Sequence, residues 1–176
     1  MRRLISILWL AGPLLACQRQ SPTAPPVTAP SSASVALDQM DSRAPVPLLP
    51  MMANHQKQNM RDHLVAVQEI VMAAAADDYE GVARAAKRIG YSEEMGKMCT
   101  HMGAGAPGFA EQSIRFHHSA DRIGDAARIH DRGKVLEELS ATLQTCTGCH
   151  ATWRQQLVDE STWGQRAAVA PPSGHG

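Results

Sequence analysis

Near the C-terminal end of the chain stands the run Cys146-Thr147-Gly148-Cys149-His150. Two thiols three positions apart lie on one side of a helical turn, close enough to hold one flat group between them. The residue that follows is an imidazole, the commonest side-chain ligand for a transition metal. C-x-x-C-H is the attachment signature of c-type haem: the thiols add to the two vinyl groups of one porphyrin, and the histidine is held under the iron as proximal ligand. Two other chemistries use paired cysteines. A thioredoxin-like redox pair wants a strand before the motif and a helix after it, whereas residues 146–150 lie deep in a helical run. A structural zinc site wants a second pair of ligands at comparable spacing, and Cys99 with His101 is a poor second half. Haem attachment is the chemistry this spacing favours.

Such a group needs helices to position it. The run Leu136, Leu139, Leu143, Cys146, His150, Trp153 and Leu157 alternates steps of three and four, predicting one face of a helix that ends near Leu157. Three further stripes precede it. The first is Met60, Leu64, Val67 and Val71, with His63 and Ile70 beside it. The second, weaker, is Tyr79, Val82, Ala83, Ala86 and Ile89, resuming after Gly90 through Met95 and Met98. The third is Phe109, Ser113, Phe116, Ala120, Ile123 and Ala127. Asp77 and Glu80 at capping-box spacing separate the first two, and glycines 103, 105 and 108 with Pro107 break the chain before the third. Four helices with mostly short connections predict an all-α fold: an antiparallel up-and-down four-helix bundle carrying one covalently bound haem. No strand pattern is legible.

The stretch CTGCHATWR, residues 146–154, resembles the C-x-x-C-H-x-x-aromatic-Arg ending of class II cytochromes c, the cytochrome c′ family. That family carries its haem motif on the last helix of a four-helix bundle, and the resemblance extends in architecture from Met51 to about Leu157. It implies haem c bound through Cys146 and Cys149, His150 as proximal iron ligand, and Arg154 near the haem edge, where a guanidinium offsets propionate charge. Trp153 and Phe116 are expected to pack on the haem or in the core. Members differ at the sixth iron position. Low-spin relatives place a Met from the first helix there and carry electrons; high-spin members leave it open and bind NO and CO.

Depth along the helices helps to choose. His150 is expected about seven residues, roughly 10 Å, from the end of its helix, and Met60 at a similar depth inside the first helix. Met60 is therefore the candidate sixth ligand, and it matches the position from which low-spin members supply theirs. The other outcomes open to it are an apolar distal wall or an ordinary core methionine. His63, His101 and Met102 are the alternative ligands, the last two because the loop 99–108 should fall at the haem end. His117 and His118 flank their stripe and are expected to be a partly exposed pair. Cys99 is expected to be a small buried residue.

The two ends of the chain read differently from its middle. Residues 1–16, with Arg2 and Arg3 before a short apolar run, form an expected signal peptide, too short to span a bilayer, which takes ~20 residues. The sequence Leu14-Leu15-Ala16-Cys17 resembles a lipobox, implying lipidation at Cys17; an ordinary secretory signal is the other reading, and both export the protein. Gln18 in place of an Asp favours an outer-membrane anchor facing the bacterial periplasm. Residues 17–50, rich in Pro, Ser and Ala, are expected to form a disordered tether. The folded domain is expected over 51–160, and a disordered tail over 161–176.

Composition fits these expectations. The 176 residues balance 17 Lys and Arg against 17 Asp and Glu, which leaves no basic patch for nucleic acid. Aromatic residues make up only 4 %, too few for a typical β-sandwich core. Three functions follow. The first is an envelope electron carrier serving exported redox partners, possessed of a lipid anchor and a homodimer where class II habits hold. The second is a five-coordinate protein that binds NO and CO. The third, from a different class, is a copper-binding protein built on the set Met51, Met52, His55, Met60, His63, Met95, Met98, His101 and Met102. No nucleophile–base pair or paired-carboxylate arrangement is legible, so no enzyme activity is expected.

Overall fold

A computed structural model describes residues 32–169. The expected signal peptide, Cys17 and the last residues of the tail lie outside the described residues. Helix α1 (Ser32–Met40) belongs to one compact unit; a second unit begins at Asp41 and contains every other element described below. That unit runs β1 (Ala44–Leu48), α2 (Pro50–Ala75), α3 (Tyr79–Ile89), α4 (Glu93–Met102), α5 (Phe109–Arg128), α6 (Arg132–Thr152), β2 (Trp153–Leu157) and α7 (Glu160–Val169). The protein is mostly helical, with one small two-stranded sheet.

Four of the helices share one apolar core. Residue Asp77 adopts a left-handed backbone, and Asp78 caps α3 by accepting the Gly81 N–H at 2.8 Å, so α3 turns back along α2. Asp78 is thus the capping residue, not the expected Asp77. Helix α5 returns along α3, with Gly124 against Ala86 and His117 bonded to the Ile89 carbonyl. Asp131 caps α6 through the Lys134 N–H, and α6 returns along α5, bridged by Arg122 and Glu138. Inside this ring Ile70, Val82, Ala120, Ile123 and Val135 are fully buried. The many alanines let the helices approach closely, because a methyl group adds little width at a crossing.

The first stripe is rotated from expectation. Ala53, Ala66, Ile70 and Ala74 are the buried positions of α2, while Met60, Leu64 and Val71 are 41 %, 69 % and 48 % exposed. The expected second helix divides at Gly90: α4 is a separate helix capped by Ser92 onto Met95.

Residues 41–50 are structured, contrary to the expected tether. β1 pairs in parallel with β2, Ala44 opposite Trp153 through Leu48 opposite Leu157. A strand reading APVPL works because alternate residues face opposite edges. The Leu48 carbonyl accepts from the Val158 N–H, so Ala44, Val46 and Leu48 face the partner strand. Pro45 and Pro47, which lack an N–H, fall on the outer edge where none is needed. The expected tail likewise forms α7 as far as Val169.

Candidate functional site

The cysteine motif occupies the last two turns of α6. Cys146 packs against the main helical core, and Cys149 against a second cluster formed by Val46, Leu48, Ala53, Met102, Ala106 and Phe109. Both thiols are half-buried, and burial raises their pKa above the ordinary value, a second cause at Cys149 being Cys146 itself. They are therefore protonated near neutral pH. His150 is exposed.

Helix α6 ends at Thr152, five residues before the expected end, because the chain becomes extended at Trp153 and enters β2. Trp153 and Arg154 therefore do not continue the helical face of His150. Arg154 lies half-buried on the extended strand β2 rather than on a further turn of the helix that carries His150. Trp153 folds back instead: its indole N–H donates to Gln112 Oε1 at 2.7 Å, and its ring meets Phe109 edge-on.

The relation between Met60 and His150 follows from the flanks of their helices. On α6, Glu138 faces α5 through Arg122. Leu136, Leu143 and His150, spaced seven apart, occupy the opposite flank and are all exposed. On α2, Glu69 faces α3 through Arg88, and Met60, Leu64 and Val71 occupy the flank away from it. The two apolar flanks line the seam between α2 and α6, which approach each other only sparingly. Depth agrees as well. The His63 ring stacks on Phe116, and Gln112, one turn earlier on α5, reaches Gly148. Met60 is one turn from His63 in the same direction, so it stands near the level of Cys149 and His150.

Next to the seam lies a pair of imidazoles. His117 is buried, with a ring nitrogen 2.8 Å from the Ile89 carbonyl, which fixes Nδ1 as the donor. His63, half-buried, meets it edge-on at 5.5 Å. Burial pushes the His63 imidazole down to about 4, and also lowers that of His117. The expectation of a partly exposed His117 is corrected; only His118 is exposed. The stripe rule failed here because a histidine anchored to a carbonyl can be buried on the flank of an apolar face.

The other candidates separate. Met102 is buried in the second cluster with Met52 and Met98 beside it, whereas His101 is exposed with its ring near Trp163. Cys99 is buried as expected, its thiol raised to about 11 by burial, with Cys149 a smaller cause in the same direction. Among the described residues no three His, Cys, Asp or Glu side chains gather as a bare ion would require. The donor set does fit a covalently held flat group. Two thiols and one imidazole stand within the last two turns of α6, the thiols packed against apolar side chains and the imidazole exposed on the flank beside the seam.

Sequence reasoning missed Arg43, Asp41 and Gln112. The first two sit in the segment expected to be a tether, and no periodicity marks them. No family model, curated protein or solved structure matches this chain.

Proposed function

We propose that this protein is a mono-haem c-type cytochrome of the class II kind, an antiparallel bundle of α2, α3, α5 and α6 that carries electrons in the bacterial envelope. The observation that carries the reading is the C-x-x-C-H run at the end of α6, beside a seam whose far side presents Met60. Cys146 and Cys149 hold haem c through thioether bonds, and His150 ligates the iron from the α6 side. Met60 offers its thioether from the α2 side, and Leu64 and Leu143 supply the apolar margins of the seam. When bound, the haem supplies a one-electron couple, and thioether ligation in an apolar setting favours the reduced state. Export with a lipid anchor at Cys17 delivers the chain to the compartment where such haem is attached.

A second reading, an open iron that binds NO and CO, is favoured by Met60 having only part of its surface packed. Copper binding is less well supported, since Met52, Met98 and Met102 lie in an apolar cluster while His55 and His101 are exposed elsewhere.

Optical spectroscopy tests the proposal. A pyridine haemochrome spectrum should report covalent c-type haem, and its absence would sink both haem readings. Low-spin ferric and ferrous spectra, with indifference to CO, support the electron carrier. Met60→Ala should then turn the protein high-spin and CO-binding. Ready CO binding by the unsubstituted protein would select the open iron.

A further inference from the structure

The last turn of a helix leaves carbonyl groups without partners inside the helix. In α6 that turn contains the proximal histidine. The Cys149 carbonyl is satisfied locally by the Trp153 N–H. The His150 carbonyl is satisfied from far away in sequence: Arg43 Nη1 donates to it at 3.1 Å, and also reaches the Trp153 carbonyl at 3.4 Å. The other edge of the same guanidinium is held by Asp41, with Nε to Oδ1 at 2.9 Å and Nη2 to Oδ2 at 2.7 Å. The Arg43 backbone N–H also donates to Asp41 Oδ1, closing the turn on itself. The following residue, Ala44, opens the parallel ladder opposite Trp153. One strand therefore grips the end of the motif twice, once through the ladder and once through a guanidinium held at a fixed angle.

We propose that Arg43, oriented by Asp41, is a positioning residue for His150. It fixes the backbone that carries the imidazole and sets a charged group at the end of the cysteine motif. The planar five-donor fork matters, because it serves a carboxylate on one edge and the His150 and Trp153 carbonyls on the other; a lysine ammonium cannot do both with fixed geometry. The charge also complements the negative end of the α6 dipole. The function of the clamp rests on the haem reading above, but the clamp itself does not.

The test uses the full chain with Arg43→Ala, Arg43→Lys and Asp41→Asn. Amide hydrogen exchange over residues 150–155, haemochrome yield and midpoint potential are measured for each. In Arg43→Ala, exchange in this segment should accelerate on the order of tenfold while the core of α3 and α5 keeps its protection. The potential should fall, since loss of a cation and exposure of the Asp41 charge favour ferric iron. Arg43→Lys should restore most of the potential but only part of the protection. Asp41→Asn should raise the potential while loosening the segment, opposite signs that mere loosening would not produce. Unchanged exchange and potential in Arg43→Ala would overturn the proposal, as would a fall in potential in both Arg43→Ala and Asp41→Asn. If the unsubstituted chain holds no haem, the cytochrome reading fails on that result alone. Exchange still decides whether Arg43 holds the segment.

Discussion

His63 makes this fold sensitive to mild acid. Its ring lies 4.7 Å from that of Phe116 and 5.5 Å from that of His117. Burial moves the imidazole from 6.5 to about 4, with His117 pushing the same way and Asp62 opposing. The folded chain thus prefers the neutral ring, while the unfolded chain takes up a proton as soon as pH drops below 6.5. Stability from this source is whole above pH 6.5 and drains as pH falls toward 4, where the folded state protonates too. The shift corresponds to about 2 kcal/mol lost by pH 5 and roughly 3 kcal/mol by pH 4. Urea unfolding at pH 7 and pH 5 measures it, above the range in which ordinary carboxylates titrate. His63→Phe keeps a ring against Phe116 and removes the proton site. The variant should retain about 2 kcal/mol more of its neutral-pH stability at pH 5 than the unsubstituted protein does. A residual slope is expected from His117, whose pKa is lowered in the same sense. Equal losses in the two proteins between pH 7 and pH 5 would refute the reasoning.

Two stability predictions concern the packing that supports the motif. Ile123 is fully buried among four helices. Ile123→Ala should cost about 3 kcal/mol through lost transfer energy and the cavity left behind, read as a lower urea midpoint at unchanged slope. Trp153→Phe keeps a ring against Phe109 but removes the N–H that serves Gln112. It should cost about 1 kcal/mol, and Gln112→Ala combined with it should cost less than the sum of the two single changes. Strict additivity would mean that the 2.7 Å bond contributes nothing to stability.

Much of the helical scaffold was legible because it repeats. The stripe Phe116, Ala120, Ile123 and Ala127 of α5 is buried as its spacing required. The motif itself was fully visible, since its chemistry depends on contiguous residues. Periodicity was weaker on α2, where Met60, Leu64 and Val71 obey helical spacing yet form an exposed flank. A stripe of apolar residues identifies a helix, but a wide apolar surface does not say which part of it meets the core.

The sequence by itself determined that helices predominate and that two thiols and an imidazole stand together in one short run. Only the tertiary structure decided what ends α6 and what holds its end. β1 is a strand because β2 exists more than a hundred residues later to accept its ladder. Prolines that read as a tether are tolerated because they face the outer edge. Arg43 carries no local signal for the same reason, as its carbonyl partners at His150 and Trp153 are near only after folding. His117 became a buried imidazole because the end of α3 brought it a carbonyl. Local spacing encodes elements, whereas the contacts between distant segments arise from packing, which no window of neighbouring residues contains.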